Sequence, residues 1–402
     1  MRAFVSLSLL AALVTFARGG EEPSPAALPS PEPRFKIYGW LESGVTFNPD
    51  EPKDRQNFGR LFDDRSNEPL LNQAVITFER TLSSSLSGFD WGFKLQGMIG
   101  SDARSIHSLG LLENSVRERI EPDLVEAYFA MHLPILSARG IDLKLGKFVT
   151  LEGAETIDPR SNFFYSHTYL FNFGIPFNHT GALAIWHATT ALDLYGGVTR
   201  GVNTSLDDNN DSLAFHGGVG FNLFDGRLTA LATTHVGPET RGNNHDKRYV
   251  NDLTFTAKQT RKLTAITDLN YAYDEAADAT GYGAVQSFVY AFNDTFSAGV
   301  RGEVWRDADG FYVASFAEND DALDSLRGGG VTLDPRTVGG GRTTYGAITV
   351  GLNIKTPIPK PAATFVIRPE LRFDRSLNDT RPFNDSKDRN QLTAAVDFVL
   401  GF

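Results

Sequence analysis

The chain has 402 residues, no cysteine, 38 glycines and 11% aromatic residues, which excludes a disulfide scaffold, a thiolate metal site and a cysteine nucleophile. Its 38 Lys and Arg stand against 49 Asp and Glu for a net charge of −11, and that excess of acid disfavours a nucleic-acid partner. A single apolar run, at the extreme N-terminus, comes near the length of a helical span, so a bundle of membrane-crossing helices is excluded as well.

Met1-Arg2-Ala3, an apolar stretch from Phe4 to Ala17, and small residues flanking a cut after Gly19 have the order of a secretory signal peptide, residues 1–19. The apolar core is too short to anchor the chain and is interrupted by Ser6, Ser8 and Thr15. Cleavage there removes Arg2 and Arg18 and takes the net charge from −11 to −13. Residues 20–33, with Pro23, Pro25, Pro29, Pro31 and Pro33, lack the backbone donors of a folded segment and read as an extended periplasmic tether.

From residue 34 to 402 one pattern repeats: segments of roughly ten residues with apolar side chains at alternate positions, bounded by Gly, Asn, Asp or Pro. The first strand sets Phe35, Ile37, Leu41, Val45 and Phe47 against Lys36, Tyr38, Glu42 and Thr46. Further strands are predicted near 71–83, 90–101, 123–134, 140–150, 178–188, 190–201, 212–224, 227–236, 248–258, 263–274, 282–292, 296–307, 342–355 and 363–375. The last sets Leu392, Ala394, Val396, Phe398, Leu400 and Phe402 against Gln391, Thr393, Ala395 and Asp397.

Links after even-numbered strands are tight, as at Ala188-Thr189, Asp225-Gly226, around Gln259-Thr260-Arg261, and at Phe292-Asn293-Asp294-Thr295. Links after odd-numbered strands, 48–70, 102–122, 151–177, 202–211, 237–247, 275–281, 308–341 and 376–390, are long and polar. That alternation predicts an all-β fold: a transmembrane, up-and-down antiparallel barrel of about sixteen strands, with short periplasmic turns and long extracellular loops. In a bilayer every backbone polar group must be paired within the protein, which a closed sheet achieves. Phe221, Phe224, Phe292, Phe296, Phe398 and Phe402 stand at strand ends, where an interfacial aromatic girdle is expected.

Leu71-Asn72-Gln73-Ala74-Val75-Ile76, Leu145-Gly146-Lys147-Phe148-Val149-Thr150, Glu152-Gly153-Ala154-Glu155, Tyr165-Ser166 and Gly174-Ile175-Pro176-Phe177-Asn178-His179-Thr180-Gly181 together resemble the OmpL-like family of β-barrel porins over nearly all of residues 34–402. The resemblance implies an outer-membrane channel for small solutes, exported by a Gram-negative-type bacterium. It also implies that the terminal strand ending in Phe402 is read by the barrel-assembly machinery. It carries no catalytic residues and no cofactor. Such channels are often homotrimers, and nothing in this sequence sets the number of copies.

By strand parity the lumen-facing, pore-lining candidates are Lys94, Gln96, Asp123, Glu126, Tyr128, Asp142, Lys144, Asp193, Arg301, Glu303, Arg368, Glu370, Arg372 and Asp374. Arg368 and Arg372 form a basic ladder or a set of cross-strand charge pairs. The 151–177 link carries Phe163, Phe164, Tyr165, Tyr169, Phe171 and Phe173. So many rings are costly in water, and the link is expected to fold into the lumen and narrow it, or to continue the next strand or meet a neighbouring protomer. The acidic clusters Asp207–Asp211 and Glu318–Asp321 read as solvated loop rather than a Ca²⁺ site. Three alternatives remain to the passive porin: a plugged adhesin or structural barrel, a barrel hydrolase using His107, His167 or His179, and an exported, sugar-binding β-sandwich or propeller.

Overall fold

The computed structural model describes residues 34–83, 88–112, 119–313, 341–359 and 363–402. The expected signal peptide and tether, and the acidic cluster at Glu318–Asp321, lie outside the described residues. Sixteen strands follow in chain order: β1 Phe35–Phe47, β2 Pro69–Arg80, β3 Asp90–Gly100, β4 Glu121–Leu133, β5 Ile141–Val149, β6 Asn178–His187, β7 Leu192–Thr199 and β8 Ala214–Leu223, then β9 Leu228–Pro238, β10 Lys247–Lys258, β11 Leu263–Asp274, β12 Ala279–Ala291, β13 Phe296–Asp307, β14 Thr343–Thr356, β15 Thr364–Ser376 and β16 Asn390–Gly401.

Each strand pairs antiparallel with its sequence neighbours, and β1 closes the ring against β16. The sheet therefore has no edge, as a lipid-facing sheet requires. At the seam Gly39 and Phe402 exchange both backbone hydrogen bonds, at 3.1 and 3.0 Å. The Phe402 ring lies where a Cβ on Gly39 would stand, so the smallest residue of β1 makes room for the terminal ring. Among the described residues no helix is long and apolar enough to cross a membrane.

The alternating pattern becomes two faces. Ile37, Leu41, Val300, Val304, Leu371 and Phe398 are exposed on the outer wall, whereas Glu42, Arg301, Glu303, Arg372 and Asp397 are buried on the inner one. All six predicted girdle aromatics are exposed. Strict alternation fails at two bulges, where an extra residue turns two consecutive side chains inward. Between β1 and β2 the register steps from Glu42↔Gln73 to Ser43↔Leu71, so Asn72 and Gln73 are both buried. Between β3 and β4 it steps from Gln96↔Glu126 to Gly97↔Leu124, so Val125 and Glu126 both face the lumen.

The expected long link at 275–281 is shorter in the structure. β12 begins at Ala279, paired with Asp274, which leaves only the turn from Glu275 to Asp278. Pro369 interrupts the β14–β15 ladder, because it has no N–H to contribute. The pairing runs to Gly351↔Glu370 and resumes at Ile354↔Ile367.

The hydrophobic core is inside the barrel rather than between layers. Leu61 and Phe62 from the β1–β2 link, Ala103 and Ile106 from the β3–β4 link, and Tyr169, Leu170, Phe171, Phe173, Ile175 and Phe177 from the β5–β6 link meet Trp40, Val75, Met98, Val125, Trp305 and Tyr345 from the wall.

Candidate functional site

The lumen is shaped by the β5–β6 link, which leaves and re-enters the wall at one point. Thr150 N–H donates to the Phe177 carbonyl across its neck at 3.1 Å. Between these ends the chain makes a 3₁₀ turn at Pro159–Ser161 and a π-helical turn at Leu170–Gly174. A loop inside a barrel must satisfy backbone groups that water would otherwise take, and wall side chains do this. Glu370 accepts from Tyr165 N–H at 2.9 Å, Glu303 from Tyr169 N–H at 2.8 Å, Asp252 from Gly153 N–H at 3.0 Å and Asp268 from Ala154 N–H at 2.8 Å. In the other direction Arg368 donates to the carbonyls of Pro159, Asn162 and Phe164, Arg301 to Ser166 and Arg372 to His167.

The wall is also cut to receive the rings. A Cβ at Gly44 would meet Tyr165, one at Gly299 would meet Phe163, and one at Gly351 would press on Phe164. A side chain at any of these three positions would displace an aromatic of the loop.

The fourteen candidate lumen residues fall into distinct settings. Arg301, Glu303, Arg368, Glu370, Arg372 and Asp374 are buried beneath the loop. Arg368 pairs with Asp397 at 2.5 Å and Glu42 at 2.9 Å, and Arg372 with Glu303 and Asp374, each at 2.9 Å. The two arginines are thus consumed by carboxylates and loop carbonyls, and do not form a free basic ladder. Lys94 pairs with Glu126, and Lys144 lies over the Tyr128 ring at 4.9 Å. Gln96 donates to Thr77 at 2.8 Å.

Of the expected constriction residues, Phe164, Tyr165, Tyr169 and Phe171 are buried and Phe163 is half-buried. Their rings pack into the lumenal core instead of standing free in water, because Leu61, Phe62 and Tyr345 reach them from other elements. Phe62 lies 5.5 Å from Phe171, and Tyr345 stacks on Tyr169 at 4.8 Å.

The space left open is bounded by the first half of the loop. A cavity of about 370 Å³ runs between Lys94, Gln96, Val125 and Glu126 on the wall and Glu152, Gly153, Glu155, Thr156, Ile157 and Asp158 on the loop, with Phe171 and Phe177 at its apolar side. Burial alone would raise the Glu155 carboxyl, but Arg301, at 2.5 Å, overrides it and holds the group below its usual range. Glu152 has no such partner. Both its carboxylate oxygens are buried without a hydrogen bond, and burial, then the Asp252 charge, pushes it well above the usual carboxylate range.

The three histidines singled out in the sequence occupy unlike places. His107 sits between Glu121 at 2.7 Å and Asp123 at 3.2 Å. Burial holds the His167 imidazole down to about 4, against the pull of Glu155, and the neutral ring stacks on Phe171 at 4.3 Å and lies 4.7 Å from Phe62. His179 joins His216 and His235.

Strand parity missed the β1–β2 link. Arg60, fully buried, bridges Asp63 at 2.5 Å and Asp374 at 2.6 Å. The signal for it was the apolar group Phe58, Leu61 and Phe62 around Arg60 inside a link otherwise rich in charge. Lys147 was missed for another reason. Gly146, at φ 132°, resets the alternation so that Lys147 turns inward to the Leu124 carbonyl at 2.6 Å.

A closed sixteen-stranded barrel with an apolar outer wall, a charged inner wall and a loop folded into the lumen defines the class of outer-membrane β-barrel channels. The model of the family described as "Putative beta-barrel porin-2, OmpL-like" matches residues 34–402, and the chain belongs to that family of outer-membrane porins. No curated protein matches the sequence. The fold is similar to that of an anion-selective porin from Comamonas acidovorans (10% identity, 92% of this chain and 99% of that one, TM-score 0.58). It is also similar to Pseudomonas putida OprB (13%, 92% and 94%, 0.55) and to Salmonella typhi OmpF (10%, 92% and 97%, 0.56).

Proposed function

We propose that the protein is a non-enzymatic channel for passive diffusion of small hydrophilic solutes, with the route running through the cavity beside the β5–β6 loop. The observation that carries this reading is the cavity of about 370 Å³ that brings Lys94, Gln96 and Glu126 on the wall to face Glu152, Glu155 and Asp158 on the loop. The buried arginines and Phe163 to Phe171 set the position of the loop, and the loop sets the bore. Liposome swelling with sugars of graded size tests it: monosaccharides enter and oligosaccharides are excluded. No swelling with any sugar would overturn it in favour of a plugged barrel, a reading favoured by the apolar packing of Leu61, Phe62, Tyr169 and Phe171 within the lumen.

In this reading residues 1–19 are the cleaved export signal, 20–33 a periplasmic tether, Phe402 part of the strand that the assembly machinery receives, and the working unit a homotrimer in outer-membrane lipid. Chemical cross-linking in native membranes, followed by N-terminal sequencing of the mature chain, tests both the copy number and the cut.

Glu152 makes the current pH-dependent. Its raised carboxyl is neutral at low pH, and it ionises as pH climbs through that raised range. The added negative charge at the cavity then favours cations and raises the cation-to-anion permeability ratio. Reversal potentials in a salt gradient at acid and alkaline pH should show this drift in the wild type and lack it in Glu152→Gln.

A further inference from the structure

At the long-link end of the wall, three imidazoles are gathered with no role in the solute path described above. His216 on β8 and His235 on β9 are directly opposite in the ladder, and His179 comes from β6, two strands from β8. All three side chains are fully buried. One ring nitrogen from each lies within 4.8 Å of the others. The rings stack, His179 with His235 at 4.9 Å and 20°, and His179 lies 4.2 Å from His216.

Aromatic packing alone does not account for the nitrogens. His179 Nδ1 faces the Gly201 carbonyl at 3.0 Å, which makes it the protonated nitrogen and leaves Nε2 as a lone pair. That Nε2 lies 3.3 Å from the Thr150 hydroxyl. His235 Nε2 faces Glu239 at 2.8 Å, and its Nδ1 is buried with no partner. Glu239 is itself fixed, accepting from Val202 N–H at 2.9 Å. His216 Nδ1 is likewise buried without a partner, while Nε2 accepts a long 3.3 Å bond from Leu151 N–H. A carbonyl behind one imidazole and a carboxylate behind another are the arrangement that fixes tautomers and raises basicity in metal-bound histidines.

We propose that His179, His216 and His235 bind one divalent late transition-metal ion of the zinc, nickel or copper class, with Glu239 as the positioning residue behind His235. Three neutral imidazoles suit these borderline cations and not the oxygen-seeking Mg²⁺ or Ca²⁺. Nitrogens about 2.0–2.1 Å from a tetrahedral ion stand about 3.3 Å apart, against the 4.8 Å within which they now lie, so the widest pair closes by up to about 1.5 Å, through side-chain rotation of two histidines on paired strands and a third two strands away. Coordination at His216 Nδ1 moves its proton to Nε2 and exchanges the weak Leu151 contact, while coordination at His179 Nε2 releases Thr150. The ion therefore sits at the root of the inward loop and competes with two of that loop's ties to the wall.

The test uses the full-length refolded barrel, stripped with chelator and titrated with Zn²⁺ or Ni²⁺ by calorimetry, with Co²⁺ absorption reporting tetrahedral nitrogen ligation. One ion per chain is expected. His216→Ala and His235→Ala should each abolish that stoichiometric event, Glu239→Gln should weaken it by about 10- to 100-fold, and His245→Ala, on an exposed loop, should leave it unchanged. Heat-modifiable gel mobility verifies that each variant is folded. Absence of binding in the wild type, or equal binding by folded wild type and His216→Ala, would overturn the site.

Discussion

Deletion of residues 160–174 should raise single-channel conductance several-fold. The segment holds Phe163, Phe164, Tyr165, Tyr169, Leu170, Phe171 and Phe173, of which all but the half-buried Phe163 are buried inside the barrel. A sixteen-stranded wall by itself encloses an aqueous lumen, because its circumference exceeds what inward side chains can fill. Removing fifteen residues of plug therefore returns area to the bore, and Leu61 and Phe62 are left facing water. The wall should survive, since its sixteen ladders run without the loop. Planar-bilayer recording measures the change, and an unchanged conductance would mean that the path avoids the loop altogether. The variant should also admit oligosaccharides in liposome swelling that the wild type rejects.

Replacing Arg368 by Met should be the most destabilising single change in the lumen. Arg368 is 2% exposed, and its guanidinium binds Asp397, Glu42 and three loop carbonyls at once. Its loss leaves two buried carboxylates facing each other without a cation. Breaking a buried pair from one side costs about 3–5 kcal/mol, and the freed carbonyls add to that. The expected outcome is a clear fall in the temperature at which the barrel loses its heat-modifiable mobility, together with flickering currents from an untethered loop. Replacing Asp397 by Asn in the same chain, with Glu42→Gln, should recover part of the stability, because the charges are then removed together. Recovery of stability without recovery of quiet currents would separate the two roles of Arg368, closing the wall and holding the loop.

Wall and filling differ in how far the sequence reveals them. Alternation is local: the side chain two residues on shares a face, so Phe296, Ala298 and Val300 could be set against Ser297, Gly299 and Arg301 without any knowledge of partners. The strand β13 that results has the predicted limits, Phe296–Asp307. Link lengths carried the topology in the same local way. The exceptions were also local, an extra residue at Asn72 or Val125 that parity counting cannot anticipate. By contrast, His216 and His235 are nineteen positions apart and His179 comes from a third strand. Only register brings them together, and one shift of two residues would disperse them.

The sequence by itself determined that this chain forms an edgeless, two-faced sheet, since period-two polarity and alternating link lengths are written residue by residue. It also marked the 151–177 link as too aromatic for water. What only the tertiary structure decided is what fills the ring. The loop's destination depends on the volume enclosed by all sixteen strands, and the arginines of β15 reach carbonyls some 205 positions earlier in the chain. Whether those guanidiniums face solute or are consumed by Glu42, Asp397, Glu303 and Asp374 is set by closure of β1 on β16 and by the loop that closure leaves room to admit. Charge on the inner wall is legible from parity, whereas charge available to a solute is a property of the packed lumen.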